Sequence, residues 1–290
     1  MNIRAQNENE KAFLDIIQSM TGSYQTWQVW SDVLAIMAIT VSNSVDKLED
    51  RRERREQEYL ELIRKHDPDK VARLFAALVK ALDDNPDQDF LGSMYMRLNL
   101  GSHWHGQFFT PYDVCRMSAE ITVDVEKLKE QPRYISLCDP AIGGGAMLIA
   151  AARVLQRAGI NYQTQACFVG QDIDRIAGQM AYLQMSLLGM PGYVVIANTI
   201  TDPIVGGPLN PIEKPSQEFW YTPFWYTDVW QMRRVWYSMD SMIRRSKTVR
   251  ENAVVIDTDK AAKRHDSFTF FFNFEEGEQN VRTNQTAESV

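Results

Sequence analysis

Between Tyr134 and Ala197 the chain alternates short apolar, β-branched segments with runs of helix formers, and this alternation constrains the fold more than any other feature. Strands are expected at Tyr134–Cys138, Ala166–Gly170 and Tyr193–Ala197, with helices from Ala146 to about Ala158 and from Arg175 to Leu188. Such a βαβαβ run implies a parallel sheet with right-handed crossovers. The first strand stops at Asp139 and Pro140 and passes through Gly143, Gly144 and Gly145 before the helix begins. Glycines there remove Cβ atoms where backbone must approach a ligand, and the helix behind them offers unpaired N–H groups with partial positive charge. Asp139, at the carboxyl end of the strand, can accept a bond from a cationic or hydroxyl group. Taken by itself, the stretch also reads as a turn that only joins strand to helix.

The spacing narrows the ligand. In a G-x-G-x-x-G dinucleotide fingerprint counted from Gly143, the third glycine falls on Leu148, and an acid in front of the turn is unfavourable beside a pyrophosphate. A phosphate loop is excluded because no Lys-Ser or Lys-Thr follows the glycines. A nucleoside ligand without phosphate remains, and S-adenosyl-L-methionine fits, with an ammonium for the carboxylate and a methionine tail for the glycine turn. Asp172 follows the second strand, where an acid can bind ribose hydroxyls, and Asn198 follows the third, within reach of an adenine edge. For each, a helix cap or turn role is the competing account.

Length and charge bound the remainder. A chain of 290 residues with 44% hydrophobic and 24% charged residues can bury a sizeable core, as one large domain or as an α/β domain with a helical extension. Its net charge of -7 gives no global pull toward nucleic acid or anionic membrane, so any DNA contact needs a local basic patch. Cys115, Cys138 and Cys167 are far apart and form no C-x-x-C pair, which predicts buried reduced thiols and suits the cytoplasm. No secretion signal is read at the N-terminus, and no apolar run is long enough to span a bilayer. Residues 1–100 read as a helical region, 101–274 as the α/β domain and 275–290 as a disordered acidic tail. Asp46 to Lys65 reads as a solvated helix held by pairs such as Glu49–Arg52 and Asp50–Arg54. His103 and His105 form an H-x-H in a loop without a Cys or carboxylate partner, and no metal site is assigned.

Taken together, these residues resemble the N6-adenine DNA methyltransferases of the type I restriction-modification kind. Asp89-Phe90-Leu91-Gly92 with Tyr95 resembles the helix leading into that family's core. Gly106-Gln107-Phe108-Phe109-Thr110-Pro111 is similar to its G-x-F/Y-Y/F-T-P segment, and Asp139-Pro140-Ala141-Ile142-Gly143-Gly144-Gly145 to its D-P-A-C-G-S-G turn. Gly170-Gln171-Asp172 resembles G-Q-E, and Ala197 to Pro203 resembles G-D/N-T-L-x-D-P. The resemblance covers Asp89 to Pro203. It implies an α/β, Rossmann-like methyltransferase fold, a doubly wound sheet that is incomplete here, with an N-terminal helical domain. It also implies S-adenosyl-L-methionine as cofactor, held by Thr110, Asp139, Pro140, Gly143, Gly145, Asp172 and Asn198. DNA is the implied substrate, and a specificity subunit or another methyltransferase chain the implied partner.

One expected part is missing. The family carries N/D-P-P-F/Y/W after its fourth strand, where the amide and a proline carbonyl accept from the adenine N6 hydrogens and the aromatic ring stacks on the flipped base. The nearest fragments are Leu209-Asn210-Pro211-Ile212 and Tyr221-Thr222-Pro223-Phe224, so Asn210, Pro211 and Phe224 are candidates without an assignable catalytic role. Activity is therefore open. A catalytically inactive protein that binds DNA or a partner subunit is the competing reading. Pro208 to Pro223 reads as a proline-rich loop. The aromatic and basic segment 219–250 reads either as cover for an open sheet edge or a partner interface, or as a DNA-contacting surface, edge cover or interface being favoured. Ala253–Asp257 and Ser267–Phe274 read as strands.

Overall fold

The computed structural model describes residues 5–22, 24–100, 109–129 and 134–254. Its centre is a four-stranded sheet of order β1-β2-β3-β6, formed by β1 (Ile135–Asp139), β2 (Ala166–Asp172), β3 (Gly192–Ile196) and β6 (Glu218–Tyr221). The first three are parallel, with Asp139 beside Gly170 and Asp172 beside Ile196, so their carboxyl ends are level. β6 runs antiparallel to β3, pairing Tyr193 with Tyr221. Crossover helices α8 (Ala146–Arg157), followed by the short α9 (Tyr162–Gln165), and α10 (Arg175–Leu187) connect the parallel strands, as the alternation predicts. In a doubly wound sheet of order 3-2-1-4-5-6 the fourth strand pairs with the first. Among the described residues nothing pairs with the outer edge of β1, so the second half of the winding is absent there.

Five helices precede the sheet: α1 (Glu8–Met20), α2 (Thr26–Asn43), α3 (Glu49–Ile63), α4 (Pro68–Asp84) and α5 (Phe90–Arg97). Two more, α6 (Tyr112–Thr122) and α7 (Val125–Lys129), lead into β1. Caps follow the sequence: Asn7, Asp67 and Asp89 each accept an amide of the first turn, and Pro68 opens α4 where its missing N–H costs nothing. The apolar helix α2 is buried between α3 and α10, with Val33, Leu34, Met37 and Ile39 inaccessible. Its one acid, Asp32, meets His66 at 2.9 Å. A single core runs from Phe13 in α1 through α2 and α10 to Trp220 in β6.

Strand alternation divides two cores. Ala166 and Phe168 of β2, Val194 of β3 and Trp220 of β6 face the helices, whereas Cys167, Val169, Tyr193, Val195, Phe219 and Tyr221 face the other way. That second face is covered by aromatics, not by a further helix layer of α/β type. Trp225 lies in the 3-10 turn Pro223–Tyr226 and Trp230 near the start of α11 (Asp228–Val254), and both are buried there. Phe219, Tyr221, Trp225 and Trp230 thus cover a face of the sheet, not the open edge expected from the sequence, while Trp236 stays exposed. Arg233 and Arg234 turn inward as well, donating to the Thr164 and Trp225 carbonyls.

Three expectations are corrected. Pro208 to Pro223 is not all loop, because it includes β5 (Asn210–Ile212), which forms a hairpin with β4 (Val205–Gly207), and then β6. Helix α3 is not wholly solvated. Arg52 pairs with Glu49 at 3.6 Å, but Arg54 donates to the Asp50 backbone carbonyl, and Arg51 and Arg55 are buried toward the sheet. Ala253 and Val254, expected to open a strand, end helix α11, while the rest of that expected strand, to Asp257, the strand at 267–274 and the tail at 275–290 lie outside the described residues. So do His103 and His105. No helix among the described residues is long and apolar enough to cross a membrane.

Candidate functional site

The loops that leave the carboxyl ends of β1, β2 and β3 are stitched to one another. The Asp172 carboxylate accepts from the Gly143 amide at 2.9 Å, tying the end of β2 to the glycine turn after β1. Ile142 donates its amide to the Gln171 carbonyl at 3.0 Å. Thr199, in the loop after β3, donates its hydroxyl to the Pro140 carbonyl at 2.5 Å. Gln171, buried, donates to the carbonyls of Ala197 and Asp202 and accepts from the Ile204 amide, so it fixes that loop onto β2. Its position between Gly170 and Asp172 was visible in the sequence, but its role as the link between two strand ends was not.

The glycine turn is also held from below. Gln184 of α10, fully buried, donates to the Gly144 carbonyl at 2.8 Å and to Asp89 at 2.7 Å, and accepts from the Leu91 amide at 3.0 Å. Asp89 caps α5 through the Gly92 amide at 2.9 Å, and burial raises its pKa from the ordinary 3.8. A buried network in which each group is bonded fixes geometry well. Gly143 and Gly145 have φ of 54° and 95°. A Cβ at Gly143 would lie 3.1 Å from the Phe109 ring, and one at Gly145 would lie 3.2 Å from the Ala181 Cα. Gly145 thus permits close approach of α8 and α10, whereas Gly143 faces the aromatic that precedes Thr110.

Gly145→Ala is expected to destabilise by about 2–4 kcal/mol, from a left-handed backbone plus a crowded helix contact. Gly159 has φ of 80° with nothing within 4 Å of its missing Cβ, so Gly159→Ala carries the backbone cost alone. Urea unfolding of the two variants checks this. Equal losses would show that the contact with Ala181 contributes nothing.

Asp139 and Asp172 lie at adjacent strand ends and are only partly buried. Asp139 accepts from the Ala141 amide at 3.0 Å and Asp172 from the Asp174 amide at 2.9 Å, and among the described residues neither has an ion-pair partner. Burial raises both pKa values, Asp172 adding to the rise at Asp139. Each carboxylate keeps lone pairs beyond the amides it serves. Ile173 and Ile200 are 66% and 91% exposed beside them, an apolar rim at the same strand ends that sequence reasoning passed over. Thr110 is exposed and follows Phe109, the ring over Gly143. Pro140 contributes the carbonyl that Thr199 holds. Asn198 uses its side-chain carbonyl on the Ile200 and Thr201 amides, which is the turn role; its amide nitrogen is the remaining donor.

The tetrad fragments are not brought together. Asn210 and Pro211 lie in the β4–β5 hairpin, outside the main sheet. Phe224 lies against Gly189, and the preceding Thr222 bonds Gly192 and Met190, at the amino end of β3. The glycine turn is at the carboxyl end, so Phe224 is a strand's length away. None of the three stands at the end of a strand beside β1.

The geometry coincides with a family match: the family described as N-6 DNA Methylase covers residues 87–232, half of the chain. The chain belongs to the N-6 DNA methylase family. The matched span begins two residues before Asp89 and ends within α11, so it includes the stitched loops and the aromatic cover. Solved structures with similarity include a provisionally assigned class I S-adenosylmethionine-dependent methyltransferase from Listeria monocytogenes, 12% identical over 70% of this chain and 57% of its own, with TM-score 0.44. A type I restriction-modification methyltransferase subunit from Streptococcus thermophilus is 15% identical over 67% of this chain and 59% of its own, with TM-score 0.37. The DrdV–DNA complex is 16% identical over 62% of this chain and 20% of its own, with TM-score 0.34. This N-6 DNA methylase chain therefore spans less than two thirds of the length of each of them. No curated protein matches the chain.

Proposed function

We propose that the chain binds S-adenosyl-L-methionine and forms the methyl-donor half of an adenine-N6 DNA methyltransferase of the restriction-modification type. The supporting observation is the pair Asp139 and Asp172, two carboxylates without an ion-pair partner among the described residues, set at level strand ends around a turn whose Gly143 has no Cβ to obstruct a ligand. A negatively lined seat fits a cationic nucleoside and disfavours a phosphate. Asp139 would take the ammonium, with Thr110, Pro140, Gly143 and Gly145 shaping the methionine side. Asp172 would take the ribose hydroxyls, and Asn198 would donate to a ring nitrogen of the adenine. The bound cofactor supplies an electrophilic methyl group. The chain's own residues orient it, and Ile173 and Ile200 exclude water from one side.

Calorimetry with S-adenosyl-L-methionine and its demethylated product tests the reading, and absence of binding at hundreds of micromolar would overturn it. Transfer of labelled methyl to unmethylated DNA tests the acceptor. A second reading, a catalytically inactive member acting on DNA or a partner subunit, draws support from the outer edge of β1. The strand that would carry the acceptor tetrad in a doubly wound sheet belongs there and is missing among the described residues. Binding without transfer would select it.

The raised pKa of Asp139 gives a signed pH dependence. Holding an ammonium requires the ionised form, so affinity should fall on acidification at a pH above the ordinary 3.8. Stability of the free protein moves the other way. A folded pKa above the unfolded one contributes stability that is present below 3.8 and lost as pH rises through the folded value. Titrations of affinity and of urea midpoint in wild type and Asp139→Asn separate the two curves; parallel pH profiles in both proteins would exclude Asp139 as the titrating group.

A further inference from the structure

The turn after β3 is shaped from outside itself. It runs from Asn198 to Asp202, and its tip, Ile200, is 91% exposed, so packing does not hold it. Within the turn the Asp202 amide donates to the Asn198 carbonyl at 2.7 Å, and the Asn198 side chain accepts from the Ile200 and Thr201 amides. Asp202 is gripped in turn by the segment between β5 and β6. Lys214 donates to the Asp202 carboxylate at 2.8 Å and to the Pro203 carbonyl at 3.0 Å. Ser216 donates to the other carboxylate oxygen at 2.7 Å, and Gln217 joins Gln171 on the Asp202 carbonyl, at 3.0 Å and 2.8 Å.

The gripping segment is pinned as well. Glu213 accepts from Arg51 of α3 at 2.9 Å and from the Tyr221 hydroxyl of β6 at 2.8 Å. The Gln217 amide donates to the Lys214 carbonyl at 3.0 Å, and Pro215 between them has a fixed φ. The Lys214 and Asp202 side chains are 33% and 21% exposed, so as an ion pair they contribute little to folding. Their bonds decide where the turn sits. We propose that Lys214, Ser216 and Gln217 are positioning residues for the adenine end of the seat, a role that rests on the S-adenosyl-L-methionine reading above. None of them belongs to the residues that would hold the cofactor. They fix Asp202, Asp202 fixes the Asn198 backbone, and the amide nitrogen that Asn198 has left over is then held in one place. The ammonium end is set separately, by Asp139 and the glycine turn.

That division can be read by ligand part, using calorimetry with S-adenosyl-L-methionine and with 5′-methylthioadenosine, which keeps the adenine and ribose but has no ammonium. Lys214→Met should raise both dissociation constants by about 10-fold, the loss of one bond to a charged group, at unchanged circular dichroism. Lys214→Arg should restore most of that affinity, and Asp202→Ala should lose more than Lys214→Met. Asp139→Asn should weaken S-adenosyl-L-methionine and leave methylthioadenosine unchanged. Amide hydrogen exchange at Ile200, Thr201 and Asp202 should quicken in Lys214→Met, a readout that needs no ligand. An affinity for S-adenosyl-L-methionine that Lys214→Met and Asp202→Ala leave unchanged overturns the positioning role, and so does a loss that methylthioadenosine does not share. A wild type that binds neither ligand overturns the cofactor reading instead, and the role of the three residues falls with it.

Discussion

Arg55→Ala should lower stability by about 3–5 kcal/mol, read as a fall in the urea midpoint, because it removes one of the two cations that neutralise a buried carboxylate, leaves the Phe219 carbonyl without that donor and opens a void over an indole. The Arg55 guanidinium donates to the Ser42 hydroxyl at 2.5 Å, to Asp46 at 3.3 Å and to the Phe219 carbonyl at 2.7 Å. Its central carbon lies over Trp220, 3.7 Å from the ring centroid. Burial lowers its pKa, and the Glu218 and Asp46 carboxylates act against that shift. One side chain therefore joins α2, α3 and β6, and its loss leaves Asp46 with Arg51, at 3.4 Å, as its remaining ion-pair partner among the described residues, beside the Leu48 amide and the Tyr226 hydroxyl. Arg55→Lys keeps the charge but cannot serve three acceptors in a plane or cover the ring as a guanidinium does, so an intermediate loss is expected. A loss under about 1 kcal/mol for the alanine variant would show that the contact is only packing.

Asp139→Asn should weaken S-adenosyl-L-methionine binding by about 30- to 1,000-fold, the range spanned by a charge-assisted bond made in partly desolvated surroundings. The same change should leave the free protein as stable or more so. Ionised Asp139 is held in a site that raises its pKa, with Asp172 nearby, so a neutral amide of equal shape relieves a penalty. Affinity loss with retained stability distinguishes a ligand-binding carboxylate from one that supports the turn. If binding is unchanged, or lost only together with the fold, the assignment fails. Asp172→Asn lacks this contrast, since Asp172 also holds the Gly143 and Asp174 amides.

The sheet's first half was legible because two local signals agreed at each element. The β1 strand and the α8 helix are bracketed by Asp139-Pro140 and the glycines, and the expected bounds differ from the observed ones by a residue or two. The family motifs were legible for a similar reason, being short and contiguous. What was not legible depends on partners distant in sequence. Arg55 reads as one more charge on a solvated helix until Trp220, far along the chain, places a ring beneath it. Gln184 sits in an ordinary helical run, and nothing local says that it reaches Asp89 and Gly144. The β4–β5 hairpin was hidden by prolines that normally argue against strands; Pro211 is tolerated because that sheet has only two strands and each is an edge. Phe224 was drawn toward the site by its neighbours in sequence and lies at the other end of the sheet, because β6 runs antiparallel.

The glycine turn is held in place before any ligand arrives, by Gln184 beneath it, Asp172 beside it and Ala181 behind Gly145. On the proposed function, a rigid seat of this kind would recognise the ammonium, the ribose and the adenine, and those parts are common to the methylated donor and its demethylated product. It would have little means of telling spent cofactor from fresh. Turnover in any assembly built on this chain would then be paced by the departure of product, and the ratio of the two forms in the cell, more than the amount of either, would set how often the seat is loaded for transfer.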